Sequence, residues 1–204
     1  PQAKLQVLGG FTYRFNEQCC ELREVGQASR QLLALLVATP NHSMSSELLM
    51  GMLWPESPPS KARNSFDTAL SRLRKALECS CGKQIRQDYL LLEKGILFLR
   101  HLQIDGTAFA QEVVAARRHL QRQNFWQAEL SLLRADRLWQ GEFLAGFELA
   151  SELPYQREEY NLLRLEQLSG LARLLGRRGA FDEAVRLLQA ALQIEPANDV
   201  LVRN

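Results

Sequence analysis

The sequence lacks any apolar run long enough to cross a membrane, since a transmembrane helix needs about 18 or more consecutive apolar residues. Its first residues, PQAKLQVLGGF, also lack the basic start and apolar stretch of a secretory signal peptide. These two absences predict a cytoplasmic protein with no membrane partner. Because the chain starts at Pro1 and not at Met, we expect it to have been cut from a longer protein.

Cysteine and histidine are scarce. The four cysteines form two close pairs, and neighbouring or one-apart cysteines are poorly placed to form a disulfide with each other. A metal site shared by the two pairs is the alternative, but their spacings match no common zinc pattern and none of the three histidines stands at a ligand-like spacing. We expect reduced thiols, no metal ion and no cofactor. The cysteines are Cys19, Cys20, Cys79 and Cys81.

Motifs of catalysis are also missing. The sequence contains no phosphate-binding loop, no dinucleotide fingerprint and no nucleophile elbow. Ser80–Lys83 matches the letters of a Ser-x-x-Lys motif but lacks its companion motifs. The sequence therefore predicts a protein that is not an enzyme.

The residues that are present indicate two domains of roughly 100 residues each. Residues 1–104 carry 13 Lys and Arg against 9 Asp and Glu, whereas residues 105–204 carry 12 against 14. The positive charge is concentrated between Lys61 and Lys75, where five basic residues face one acid, Asp67. A local basic stripe is typical of phosphate binding, and a solvated helix face is the alternative.

The first half has the order strands, helix, helix, helix, hairpin. KLQVLGGFTYRF predicts a hairpin that turns at residues 9–10, and a third short strand is expected to include residues 20–22. SRQLLALLVATP predicts a helix capped by Ser29, and MSSELLMGMLWP predicts one capped by Ser45 or Ser46. QIRQDYLLLEKGILFLR predicts two strands around a turn at residues 93–95. This order is typical of a winged helix with a leading sheet.

Apolar periodicity predicts the buried face of each of the first two helices. In the first helix the expected core residues are Leu32, Leu33, Leu35, Leu36 and Val37. In the second they are Leu48, Leu49, Met52 and Leu53.

The third helix, ESPPSKARNSFDTALSRLRKALE, has two prolines before a long amphipathic run, and proline is tolerated in a first helical turn. At 100° per residue, one arc is apolar and the opposite arc is polar. The apolar arc comprises Ala62, Phe66, Ala69, Leu70, Leu73, Ala76 and Leu77. The polar arc comprises Ser60, Lys61, Asn64, Asp67, Thr68, Ser71, Arg72, Arg74 and Lys75.

A helix divided in this way fits the major groove of B-DNA, because its polar face meets the bases while its apolar face is anchored. Asn64, Thr68 and Arg72 follow at i, i+4 and i+8, and we place them along the middle of the exposed arc. Asn pairs with adenine, Arg pairs with guanine, and a Thr methyl packs on a thymine methyl. Flanking cations are expected to contact phosphates: Arg63, Arg74 and Lys75.

From Thr107 onward the pattern is helical, and two segments match the tetratricopeptide spacing of small and apolar positions. The second segment matches at Ala172, Leu175, Ala184, Leu188, Ala191 and Pro196. The first matches at Ala116, His119, Ala128, Leu132 and Ala135. We expect stacked helix pairs that contact proteins or ligands, and a domain truncated at its C-terminus. Trp126 and Trp139 are expected to pack between these helices, and Trp54 between the helices of the first half.

Several motifs together resemble the antibiotic regulatory protein (SARP-type) activators. In the first half they are Leu53-Trp54-Pro55, Pro58-Pro59, Ala62-Arg63-Asn64 and Ser71-Arg72-Leu73-Arg74-Lys75-Ala76-Leu77. In the second half they are Gln103-Ile104-Asp105 followed by Phe109, and Leu138-Trp139-Gln140-Gly141-Glu142-Phe143-Leu144. The resemblance spans nearly the whole chain, with both halves in the expected order.

The resemblance implies a mainly α fold with a small β component. It places a winged helix-turn-helix DNA-binding domain at residues 1–104, with a leading antiparallel sheet, three helices and a C-terminal hairpin wing. An all-α, tetratricopeptide-like bacterial transcriptional activator domain follows at residues 105–204. In the resembling family the wing reaches the neighbouring minor groove or backbone, which points here to Lys94.

The function implied is that of a transcriptional activator. The expected partners are double-stranded DNA with tandem half-sites, RNA polymerase, and a second copy of the chain on DNA. The DNA-binding set is Lys61, Arg63, Asn64, Thr68, Ser71, Arg72, Arg74, Lys75 and Lys94. The alternative is a helical-repeat interaction module whose winged helix contacts protein instead of DNA.

Overall fold

The computed structural model describes residues 3–15, 18–20, 22–79, 89–147 and 154–194. The chain divides into two compact units. The winged-helix unit contains Pro1–Val7, Phe11–Ile104 and Gly146–Leu153, and the helical unit contains Leu8–Gly10, Asp105–Ala145 and Pro154–Asn204. Each unit thus includes a short segment from the opposite half of the chain.

The described residues form short strands and longer helices. The strands are β1 (Ala3–Gln6), β2 (Thr12–Phe15), β3 (Gln18–Cys20), β4 (Ser43–Ser45), β5 (Leu90–Glu93), β6 (Ile96–Leu99) and β7 (Gln103–Ile104). The helices are α1 (Gln27–Ala38), α2 (Ser46–Leu53), α3 (Pro59–Cys79), α4 (Asp105–Gln121), α5 (Phe125–Leu138), α6 (Pro154–Arg177) and α7 (Phe181–Ile194). The order confirms the predicted fold class: a small sheet, three helices and a hairpin, followed by helices alone.

The leading sheet has the strand order β3-β2-β1-β7. Leu5 and Tyr13 are directly paired across β1 and β2, and both are buried, as the alternation of apolar residues predicts. The predicted third strand was misplaced, because β3 ends at Cys20 and Leu22 opens a short 3-10 turn. The sequence also did not reveal β7, a two-residue strand that runs parallel to β1.

The first two helices lie close to their expected positions. The predicted core of α1 is confirmed, since Leu32, Leu33, Leu35, Leu36 and Val37 are all buried. Ser29 is not its cap: the helix starts earlier, and the buried Ser29 hydroxyl donates to Ala69 O at 3.0 Å. Of the two candidates for α2, Ser45 is the cap, because its hydroxyl accepts from Leu48 N. The expectation that Leu48 is buried was wrong, as its side chain is 51% exposed.

The wing is a three-stranded sheet in the order β4-β6-β5. The predicted hairpin is present as β5 and β6, and Leu90 is paired with Leu99. β4, which precedes α2, is a third strand that the sequence did not reveal, and its Ser45 is paired with Ile96. Residues 84–88 of the predicted hairpin lie outside the described part of the chain.

The helical unit packs the repeat positions as expected. Eight of the predicted positions are less than a tenth exposed: Ala116, Ala128, Leu132, Ala135, Ala172, Leu175, Ala184 and Ala191. Six of them share one core cluster across α4 to α7, and Ala191 belongs to a second cluster of α6 and α7. His119 and Leu188 are half-buried, and Pro196 lies outside the described residues. Trp126 contradicts the expected packing between helices, because its side chain is 64% exposed near the start of α5.

An aromatic cluster surrounds the turn after α5. Trp139 packs against Phe109 with ring centroids 5.0 Å apart, which confirms its predicted packing role. Tyr160 of α6 stacks on Phe143 at 4.5 Å, and burial, together with the nearby charge of Asp105, raises the pKa of Tyr160 to about 12. The turn and α6 are therefore held together by stacked rings.

The segment Leu8–Gly10 touches this turn at backbone distance. Gly9 N donates to Glu142 O at 2.9 Å, and Leu8 forms an isolated bridge with Phe143. A Cβ on Gly9 would stand 2.3 Å from Gln140 O, and Gly9 has a φ of +76°. Only glycine fits both the close approach and the left-handed backbone at this position.

We predict that Gly9→Ala lowers the free energy of unfolding by about 1–3 kcal/mol from backbone strain alone, with the steric overlap adding to this. Urea unfolding of the two proteins measures the difference. Gly10→Ala is the matched control, because a Cβ there would meet nothing within 4 Å. Equal losses for the two substitutions would show that the backbone contact at Gly9 is not tight.

A candidate nucleic-acid interface

The third helix is anchored along one whole face. Its predicted apolar arc is confirmed: Ala62, Phe66, Ala69, Leu70, Leu73 and Leu77 are all less than a tenth exposed, and Ala76 is half-buried. Two buried polar contacts add to this packing, since Tyr13 Oη donates to Leu77 O at 3.2 Å and Ser29 Oγ donates to Ala69 O at 3.0 Å. These contacts fix the rotation of α3 about its axis.

The opposite face of α3 is polar and exposed. Eight of the predicted polar-arc residues are exposed along the helix: Ser60, Lys61, Asn64, Asp67, Thr68, Ser71, Arg72 and Lys75. Arg63, the predicted flanking cation, is also exposed. The structure therefore brings eight of the nine predicted DNA-binding residues to open positions on α3 and the wing, and the ninth, Arg74, differs.

Two contacts within α3 already engage polar groups of its exposed face. Arg63 Nε lies 3.2 Å from Asp67 Oδ2, and both side chains are about half exposed, at 49% and 53%. Thr68 Oγ1 donates to Asn64 O at 2.8 Å. The hydroxyl of Thr68 is thus bonded to its own helix, and its methyl group is the part suited to an apolar contact.

Arg72 lies at the side of the exposed face and not in its middle, where we had placed it. At 3.6 residues per turn it is about 100° from the centre of the buried arc, whereas Asn64 and Ser71 lie near the opposite pole. A Cβ built on Gly26, just before α1, would stand 3.9 Å from an Arg72 Nη atom. Arg72 therefore borders the start of α1.

A cleft of about 350 Å³ opens between this side of α3 and α1. Asn64, Thr68 and Arg72 line it from α3, and the half-buried Trp54 contributes from the loop before the helix. Trp54 was interpreted from the sequence only as a packing residue. Trp54 lies in the loop before α3, where helical periodicity assigns no face, so the sequence carried no signal for its place in the cleft.

Arg74 lies on the other side of α3 and is half-buried. Its Nε and Nη2 both donate to Leu90 O of β5, at 3.1 and 2.9 Å. Two of its five N–H donors therefore bind a carbonyl of the wing, and the expected phosphate contact of Arg74 stays a prediction. Periodicity could not predict the contact, which joins residues 16 positions apart.

The wing tip carries Lys94 in an exposed two-residue turn. Lys94 and Gly95 have φ values of 49° and 79°, as a type I′ hairpin turn requires. Ser46 N, the first amide of α2, donates to Gly95 O at 2.7 Å. The start of α2 thus supports the turn that presents Lys94.

The described residues contain no group of three or more His, Cys, Asp and Glu side chains placed to hold a metal ion. Ser80–Lys83, including Cys81, lies outside what the structure describes, and so do the side chains of Cys19, Cys20 and Cys79. In the described part of the chain, no helix combines the length and apolar character that a bilayer crossing requires.

Family comparison matches both halves of the chain. Residues 22–89 match the family described as "Transcriptional regulatory protein, C terminal", and residues 104–204 match the bacterial transcriptional activator domain. Comparison with curated proteins finds no significant match.

Among solved structures, the fold is similar to EmbR of Mycobacterium tuberculosis, solved in complex with a low affinity phosphopeptide, with a TM-score of 0.81 and 23% sequence identity. The match covers 98% of this chain and 52% of the EmbR chain, so this chain spans about half the length of that relative. A regulatory winged helix followed by the activator domain is the architecture that the sequence motifs indicated, and the chain belongs to the SARP-type family of bacterial transcriptional regulators.

Proposed function

We propose that the chain is a sequence-specific, double-stranded DNA-binding transcriptional activator. The observation that carries this proposal is the polar face of α3, which is exposed along the helix while the opposite face is buried. A helix held in this way enters the major groove without losing its own packing. Binding of random and selected duplexes by the whole chain, measured by gel shift, tests it.

Base reading is assigned to Asn64, Thr68 and Arg72, which all line the cleft between α3 and α1. The Asn64 amide suits adenine, the Arg72 guanidinium suits guanine, and the free methyl of Thr68 suits a thymine methyl. Because Arg72 stands at the edge of the face, the helix must enter the groove with its α1 side turned toward the bases.

Phosphate contacts are assigned to the exposed residues around this row: Lys61, Arg63, Ser71, Lys75 and, on the wing, Lys94. The ion pair of Arg63 with Asp67 does not prevent this, because an exposed pair of this kind is worth only about 0–1 kcal/mol. These contacts position the protein on the duplex but carry no sequence information.

Activation is assigned to the helical unit. Residues 105–204 have more acids than bases, so this part is less suited to phosphates and better suited to protein. Exposed aromatic side chains offer apolar contact area there, among them Trp126, Tyr155 and Phe181. We propose RNA polymerase as the protein partner and a homodimer on tandem half-sites as the bound form.

The second candidate is an interaction module whose winged helix binds protein. The exposed Leu48 on α2 and the exposed aromatics of the helical unit favour it. A random-duplex gel shift at low salt separates the two candidates, since phosphate contacts give general DNA affinity that falls with salt. No shift at any salt concentration would favour the interaction module.

For Arg72→Ala we expect a loss of preference between the selected site and a mutated site, because a bidentate Arg–base contact discriminates by roughly 1–3 kcal/mol. Affinities for both duplexes are measured, with a thermal melt to confirm folding. Arg63→Ala is the control and should weaken both duplexes equally. An unchanged preference in Arg72→Ala would move base reading to Asn64 and Thr68.

For Lys94→Ala we expect weaker binding to every duplex alike. The slope of log affinity against log salt should fall in magnitude by about 0.9, the value of one phosphate contact. A salt titration of both proteins on selected and scrambled duplexes measures it, and Glu93→Ala at the neighbouring exposed position is the control. An unchanged slope would mean that the wing tip does not reach DNA.

For a duplex with tandem half-sites we expect cooperative binding when the half-sites are about one helical turn apart, roughly 10–11 base pairs. Inserting five base pairs turns the second site to the opposite face and should abolish the cooperativity. An insertion of ten base pairs returns the second half-site to the same face of the duplex as the first, and it serves as the control. Cooperativity that survives the five-pair insertion would argue against protomers bound on one face.

A further inference from the structure

We propose that Arg74 is a positioning residue, which acts on DNA binding by fixing the wing against the recognition helix and not by contacting a phosphate. This inference rests on the proposed DNA-binding function. It concerns a cation whose place in the sequence, between Arg72 and Lys75, predicts a phosphate contact.

The carbonyl that Arg74 binds lies on the outer edge of the wing. In the strand order β4-β6-β5, the described residues give β5 a strand neighbour on the β6 side alone. Arg100 N donates to Tyr89 O at 2.9 Å, and the inward and outward carbonyls of an antiparallel strand alternate. Leu90 O, the next carbonyl, therefore points away from β6, to a side where no strand of the described chain supplies a donor to it.

Arg74 supplies the missing donors. A guanidinium presents several N–H groups in a rigid planar fork, and here Nε and Nη2 converge on Leu90 O at 3.1 and 2.9 Å. Arg74 is half-buried, and it follows the fully buried Leu73 along α3. The contact joins the recognition helix directly to the edge strand of the wing.

The contact between Arg74 and Leu90 O bears on DNA binding because β5 continues into the wing tip. β5 runs from Leu90 to Glu93 and enters the turn that presents Lys94. The opposite side of the wing is held separately, by the ladder between β4 and β6 and by Ser46 N on Gly95 O. Without Arg74, β5 keeps its pairing with β6 and the burial of Leu90, but the hydrogen bonds that join Leu90 O to α3 are lost.

A double-mutant cycle on the whole chain separates positioning from direct contact. Salt titrations are made for the unmodified chain, Arg74→Ala, Lys94→Ala and the double variant. If Arg74 acts through the wing, each single variant loses about fivefold in affinity near physiological salt, the loss for one phosphate contact. The double variant should then bind within about twofold of the weaker single variant. Losses that multiply, with the slope falling by about 1.8 for the two contacts, would overturn the inference.

Lys75→Ala is the matched control, because Lys75 is the next residue of α3 and is exposed. As a direct phosphate contact it should combine with Lys94→Ala by multiplication, which shows that the assay detects independent contacts. We expect the affinity losses to multiply when Lys75→Ala is combined with Lys94→Ala. We expect them not to multiply when Arg74→Ala is combined with Lys94→Ala. The same multiplying behaviour for both residues would make Arg74 an ordinary phosphate contact.

A second measurement needs no DNA. Amide resonances of residues 90–95 are compared between the unmodified chain and each α3 variant. Arg74→Ala should shift or broaden them, whereas Lys75→Ala should leave them unchanged; unchanged resonances in Arg74→Ala would overturn the inference. An unmodified chain that binds no duplex would instead overturn the proposed function and with it the role of Arg74 on DNA. If the unmodified chain binds the duplex but the losses of Arg74→Ala and Lys94→Ala multiply, the inference about Arg74 is overturned and the proposed DNA-binding function remains.

Discussion

The burial of one face of α3 is the constraint on which the winged-helix unit depends. Phe66 and Leu73 are fully buried, and turning the helix would expose them at a cost of roughly 1.5–3 kcal/mol for each large apolar side chain. The hydrogen bonds from Tyr13 and Ser29 to carbonyls of α3 add directional contacts to this packing. The polar face is therefore exposed because exposing the apolar face would cost too much free energy. Burial of the apolar face alone keeps the polar residues on the outside of α3.

The sides of α3 are more specialised than its two faces. One side borders the start of α1, where Arg72, Asn64 and Thr68 line the cleft. The other side meets the edge of the wing, where Arg74 binds Leu90 O. Periodicity divides a helix only into buried and exposed arcs. The neighbours of each side depend on how α1 and the wing pack, which is a tertiary property.

This difference explains how much the sequence could predict. The buried residues of α1 and α3 and the repeat positions of the helical unit follow from spacing alone, because burial of an apolar stripe drives the formation of these helices. β4 and β7 have three and two residues, which is too short for alternation to be recognised. The exposed Leu48 and Trp126 are apolar residues at positions where hydrophobicity alone predicts a core. The Arg74 contact depends on a carbonyl 16 residues away, which no local pattern contains.

A count of basic residues in α3 does not give the number of cations that can contact DNA. Five cations lie between Lys61 and Lys75, and a charge count treats them as equal. In the structure Arg74 is hydrogen bonded to the wing, Arg63 forms an exposed ion pair with Asp67, and Lys61, Arg72 and Lys75 are exposed. Counterions are released only where a cation meets a phosphate. For a DNA-bound form, the salt dependence of binding would count the cations that reach phosphates in the folded protein, a number that a charge count of the sequence does not give.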